Sequence, residues 1–147
     1  MSANSKIFSI LISDINTVFR IDKAFTLAAS GEDEKALNLC DKTYFQYLEK
    51  RIKLTPSVLE ALLLRSHLLI NAGDLIESKK CVRLYLSLRN KIAYYNADEK
   101  KCMNAYALGM LWLQKGQTSN SCILEIRRNI NWDAGRVRAT VRNRIRN

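Results

Sequence analysis

Residues 61–86, ALLLRSHLLINAGDLIESKKCVRLYL, read as two helices joined by a tight turn at Ala72-Gly73-Asp74. Glycine supplies the left-handed conformation that ends the first helix, and aspartate caps the second. The skeleton of this hairpin recurs on both sides of it. Gly31, Gly73 and Gly116 lie 42 and 43 residues apart. Seven residues before each is a small residue, Ala24, Ser66 or Gly109. Four before each is a bulky apolar one, Leu27, Leu69 or Trp112, and five after each is again small, Ala36, Ser78 or Ser121. Four positions held in one register through three copies define a repeat.

A helical hairpin cannot bury its apolar faces alone. Stacked neighbours at a fixed period complete the core. The small residues belong where paired helices approach most closely, so Ala24–Ala36, Ser66–Ser78 and Gly109–Ser121 are the predicted contact pairs. The rest of the chain suits this arrangement. One proline and five glycines in 147 residues leave long uninterrupted segments, and apart from RVRATVRNRIR at 136–146 no run alternates with period two for long enough to build a sheet. The predicted fold is all-α: a right-handed stack of about three antiparallel hairpins, with a basic C-terminal helix.

In chain order, apolar residues from Ile7 to Leu27 keep a helical period. Asp14 could cap a fresh start, so this stretch reads equally as one helix or two. Ser30-Gly31 ends it. Glu32, Asp33 and Glu34 open a second helix, with the acidic sign that suits exposed amides, and this helix is carried to Lys53, closed by Lys50, Arg51 and Lys53. Thr55-Pro56 starts a third, threonine as N-cap and proline in the first turn. The fourth runs from Leu75 to about Tyr94. Asn96 caps a fifth, which ends at Lys115-Gly116. A short sixth covers about 121–129. The last segment, 134–146, alternates in RVRATVRNRIR and could be a strand, but helix is favoured because Ala134, Val137, Val141 and Ile145 share one ridge. The hairpins are thus about 17–53, 57–94 and 97–130. Residues 1–130 form the repeat domain and 131–147 a basic segment.

This layout resembles the tetratricopeptide repeat, over roughly residues 17–130. In that family the first helix of each unit carries a small residue at its eighth position and a bulky apolar one at its eleventh. A glycine follows, and the second helix carries a small residue at the unit's twentieth position. Ala24/Leu27/Gly31/Ala36 and its two later copies match that pattern. The aromatic found early in the family's first helix is replaced by Arg20, Leu62 and Ala105, and the proline that closes each unit is missing. The resemblance implies a concave groove lined by the first helix of each hairpin. By register its lining is Ile21, Leu63 and Tyr106; Phe25, His67 and Met110; and Ala28, Ile70 and Leu113. A mostly apolar lining with a methionine suits an amphipathic helix or apolar peptide from a partner protein. A helix of the same chain filling that groove is the competing expectation.

Net charge is +10, and it is unevenly placed. From Arg127 to the end stand seven arginines (Arg127, Arg128, Arg136, Arg138, Arg142, Arg144 and Arg146) against one acid, Asp133. Arginine without lysine suits bidentate contact with phosphate or carboxylate. The segment is expected to cap the stack, to dock on an acidic protein, or to lie along nucleic acid.

Catalytic signatures are missing. The chain has no glycine-rich phosphate loop, no paired metal-binding histidines and no nucleophile elbow. His67, its one histidine, has no Asp, Glu or Cys one helical turn away. Cys40, Cys81, Cys102 and Cys122 form no close pair for zinc. No stretch approaches the roughly 18 apolar residues of a membrane span, and no secretory signal is read. No catalytic, metal or cofactor site is expected, and the cysteines are expected to be reduced. The functional expectation is a non-enzymatic protein-interaction module in the cytoplasm or nucleus: an adaptor, an assembly subunit, a block of a longer scaffold, or a small chaperone like those of bacterial secretion systems. Self-association is a further expectation, because the apolar N-terminal helix has more hydrophobic surface than one neighbour covers.

Overall fold

The computed structural model describes residues 3–92 and 97–115. Five helices follow in order: α1 Ala3–Ala29, α2 Asp33–Leu48, α3 Pro56–Asn71, α4 Leu75–Leu88 and α5 Ala97–Gln114. The described residues include no strand. The expected sixth helix, the Asn96 cap and the C-terminal segment lie outside them.

Local chemistry sets most of the boundaries. The N-terminal stretch is one continuous helix of 27 residues, with Asp14 inside it. At the start of α3 the Thr55 hydroxyl accepts the Val58 N–H at 3.4 Å, and Pro56 fills the first helical position. At the start of α4 an Asp74 carboxylate oxygen accepts the Glu77 N–H at 3.2 Å. Gly31 and Gly73 end α1 and α3 with φ of 81° and 83°. There the Glu32 N–H donates to the Leu27 carbonyl at 2.9 Å and the Asp74 N–H to that of Leu69 at 2.8 Å. This six-residue closure satisfies carbonyls the helix end leaves open.

Two boundaries differ from the sequence reading. The second helix stops at Leu48 rather than Lys53, so Lys50, Arg51 and Lys53 are not in its last turn. The fourth stops at Leu88 rather than near Tyr94. The reason is burial. Glu49, Lys50 and Arg51 are all exposed, and after Leu88 the Arg89-Asn90-Lys91 stretch offers nothing to a core. Helices of this length depend on tertiary packing, and each ends where that packing ends.

Successive helices run antiparallel. Across α1 and α2, Arg20 donates to Thr43 and Gln46 at 3.3 and 2.8 Å. Across α2 and α3, Arg65 reaches Asp41 and Asn71 reaches Asp33. Across α4 and α5, the Tyr85 hydroxyl donates to Asn104 at 2.7 Å, while Gln114 donates to Ser78 at 3.0 Å. Helix α3 also packs on α1 and α5. It is buried around nearly its whole circumference, from Ser57 to Leu69, as expected of a helix enclosed by neighbours. Its Ala61, Leu64 and Leu68 join Ile21, Ala24, Phe25, Ala36 and Cys40 in one core cluster. Its Leu59, Leu62 and Leu63 join Val82, Tyr85, Met103, Tyr106 and Met110 in the other. Each of these large side chains contributes about 1.5–3 kcal/mol by leaving water, an upper estimate.

Of the expected small-residue contacts, the Ser66 and Ser78 hydroxyls lie 2.9 Å apart, and Ala24 and Ala36 are both fully buried in one core cluster. For the third pair, Gly109 is buried, and Ser121 lies outside the described residues.

Candidate functional site

The positions carried over as a groove lining divide into two sets. Ile21, Phe25, Leu63, Tyr106 and Met110 are all at most 2% exposed, so the protein itself encloses them. Leu63, Tyr106 and Met110 meet in one core cluster, and Ile21 and Phe25 belong to the other. The register positions nearest the Gly31 and Gly73 turns remain half-buried: Ala28, Ile70 and Leu113, one from each of α1, α3 and α5. His67, one turn below Ile70, is also half-buried, and its ring centre lies 6.0 Å from that of Tyr106. The seven C-terminal arginines lie outside the described residues.

Electrostatics inside the protein favour neutral side chains. Burial lowers the His67 pKa, with the Asp33 charge opposing it weakly, so the imidazole is uncharged at neutral pH. Its Nδ1 has no hydrogen-bond partner among the described residues. Burial raises the thiols of Cys40 and Cys81 and the hydroxyl of Tyr106. Cys40 and Cys81 are free thiols, and a thiol held protonated is a poor nucleophile. Burial thus holds the two thiols and the Tyr106 hydroxyl in their protonated forms, away from the anions that nucleophilic chemistry uses.

Arg65 is the exception, and the sequence reading missed it. It is 4% exposed. Its Nε donates to Asp41 at 2.7 Å, one of its terminal nitrogens donates to the Cys81 sulfur at 3.0 Å, and Glu77 lies 3.7 Å away. The guanidinium sits 4.1 Å from the centre of the Tyr44 ring. Burial opposes its charge, but the hydrogen bonds to Asp41 and Cys81 outweigh that and hold it protonated. One side chain of α3 thereby ties α2 to α4. The signal for it was in the sequence: a charge inside the run ALLLRSHLL must find partners if that run is buried all round. A second feature carried no such signal. The side-chain amide of Gln114, the last residue of α5, donates to both Ser66 and Ser78 at 3.3 and 3.0 Å.

No protein family, characterised protein or solved structure matches the chain. No helix among the described residues is long and apolar enough to cross a membrane.

Proposed function

We propose that the chain is a non-enzymatic protein-interaction module, a divergent tetratricopeptide-like stack of three hairpins. It takes a helix or peptide segment of a partner protein along the outer ridge of its first, third and fifth helices. The observation that carries this reading is the row Ala28, Ile70 and Leu113. The three occupy equivalent register positions, and all three remain half-buried, whereas the deeper positions of the same register are enclosed. All three also pack against the core clusters with one side, so the partner in this reading lies on their remaining apolar surface, with His67 beside it, rather than in a deep cleft. Adaptor, assembly subunit and small intracellular chaperone are roles that such a ridge serves. In each the chain recognises an amphipathic segment and transforms nothing.

A second reading rests on the seven arginines after Glu125. Their concentration favours a regulatory role in which this segment holds nucleic acid or an acidic protein. One experiment addresses both. The chain is used to capture partners from its native cell in three forms: wild type, Ile70→Asp/Leu113→Asp, and a chain ending at residue 126. The ridge reading expects a stoichiometric partner protein that the double variant loses and the shortened chain keeps. Retention by the folded double variant overturns the ridge, and loss only on shortening transfers the function to the arginines.

A further inference from the structure

Because the helices alternate in direction, the turn after α2 and the turn after α4 lie at one end of the bundle, away from Gly31 and Gly73. The two ends differ in charge. The Gly31 and Gly73 end carries Glu32, Asp33, Glu34, Asp74 and Glu77 against Lys35, Lys79, Lys80 and Lys115, and Lys35 and Lys80 are paired with Glu32 and Glu77 at 3.0 and 2.9 Å. The opposite end carries Lys50, Arg51, Lys53, Arg89, Lys91 and Lys101. Of these only Arg51 has an ion pair among the described residues, with Glu49 at 3.5 Å. The acids nearby in sequence are Glu49, Glu60 near the start of α3, and Asp98 and Glu99 at the start of α5, fewer than the six cations.

A second observation points to the same surface. Three helices end with the same closure: α2 ends with the Arg51 N–H on the Gln46 carbonyl at 2.9 Å, as α1 and α3 end at their glycines. The closure needs a left-handed residue. It is glycine in α1 and α3 but Lys50 in α2, at φ 60°. Glycine adopts this conformation without the steric penalty that any Cβ brings. The Lys50 side chain is exposed and has no ion pair among the described residues, so it returns nothing to the fold by contact. A cation near the end of α2 does suit the helix dipole, but Arg51 already meets that need from a position with no strain. Strained residues of this kind concentrate where a protein contacts a ligand.

We propose that this end of the bundle binds the phosphodiester backbone of nucleic acid, with Lys50, Lys53, Lys91 and Lys101 as phosphate contacts. The cations come from the turn between α2 and α3 and from residues flanking the turn between α4 and α5. An extended polyanion, with one charge per roughly 3.4 Å along a strand, offers partners to both. These contacts read charge and not base sequence.

The test uses the full chain with its C-terminal arginines intact. Anisotropy of a labelled single-stranded RNA and of a labelled duplex DNA, both of mixed sequence, is titrated at several salt concentrations. Vesicles containing phosphatidylserine and an acidic polypeptide serve as the other arms. Circular dichroism and thermal melting confirm that each variant folds. Wild type is expected to bind nucleic acid with affinity that falls steeply as salt rises. Lys53→Glu/Lys91→Glu is expected to bind about tenfold more weakly, and Lys50→Gly about threefold more weakly while melting about 2–4 °C higher. Absence of binding at low salt overturns the proposal. So does unchanged affinity in Lys53→Glu/Lys91→Glu, which assigns any binding to the C-terminal arginines. Tighter binding to the vesicles or the acidic polypeptide than to either nucleic acid overturns it too, as does a Lys50→Gly chain that melts higher yet binds as tightly as wild type.

Discussion

The hydroxyls of Ser66 and Ser78 stand 2.9 Å apart between α3 and α4, and each donates across the interface to the other's backbone carbonyl, at 3.2 and 2.8 Å. The Gln114 amide of α5 donates to both. Two helices this close leave room only for small side chains, and three helices meet at one buried polar cluster. Ser66→Ala/Ser78→Ala should cost about 2 kcal/mol, because it leaves the buried Gln114 donors unsatisfied. Adding Gln114→Met should recover part of that loss. Ser78→Leu should cost about 3 kcal/mol by overpacking. Urea denaturation measures all three, and a triple variant no more stable than the double would count against this assignment of Gln114.

The two ends of the Arg65–Asp41 pair should respond unequally. The Arg65 side chain is 5% exposed and that of Asp41 34%. Asp41→Ala leaves the buried charge with one carboxylate, Glu77 at 3.7 Å, beside Cys81 and the Tyr44 ring, and should destabilise by about 2–4 kcal/mol. Arg65→Met leaves two carboxylates that water already reaches and keeps apolar packing on Tyr44. It should cost less, about 1 kcal/mol. Chemical denaturation of both variants checks the order, and the opposite ranking would show that the guanidinium's own contacts dominate.

The left-handed turns give substitutions of opposite sign. Lys50→Gly removes the Cβ penalty at φ 60° and should stabilise by about 0.5–1 kcal/mol after the added freedom of the unfolded chain is counted. Gly73→Ala imposes that penalty at φ 83°, with no neighbouring atom within 4 Å of the new methyl group, and should destabilise by about 1–2 kcal/mol. Melting curves of the two variants should therefore fall on either side of wild type.

His67 makes stability depend on pH in a stated direction. Its folded pKa is depressed below the ordinary histidine value of 6.5. Between the folded and unfolded values the unfolded chain binds more protons, so stability is fully present above about pH 6.5 and is lost as pH falls below it. The melting temperature should drop between pH 7.5 and pH 5.5. In His67→Gln, which cannot titrate, the drop should be smaller. Equal drops in the two proteins would assign the sensitivity to other groups.

What was legible in the sequence was what short range dictates. Gly31, Gly73, Thr55-Pro56 and Asp74 act on backbone atoms a few residues away, and their roles could be read from the residue types alone. The lengths of α2 and α4 could not, because Glu49 to Arg51 and Arg89 to Lys91 are acceptable helix formers that fail only for want of anything to pack on. The groove positions were ambiguous for a related reason. Phe25, Leu63 and Met110 satisfy the same periodicity whether they face a partner or a neighbouring helix, and α3, enclosed by α1, α2, α4 and α5, places Leu63 inside. Arg65 lies 24 residues from Asp41 and 16 from Cys81, distances at which no local rule pairs residues. Lys50 was read as an ordinary helix-closing cation, since a left-handed residue that is not glycine leaves no trace in residue type.

The claim beneath all of this is that the third hairpin closes as the first two do. Paired cysteines test it directly, in a chain whose four native cysteines are replaced by alanine. Gly109→Cys/Ser121→Cys is oxidised beside Ser66→Cys/Ser78→Cys as the positive control, and the rate of disulfide formation is measured under native conditions. The account predicts that both pairs close at comparable rates, since a disulfide needs Cα atoms within about 4.4–6.8 Å. Rapid closure of the 66–78 pair with none at 109–121, in a chain that remains folded, would contradict a threefold repeat.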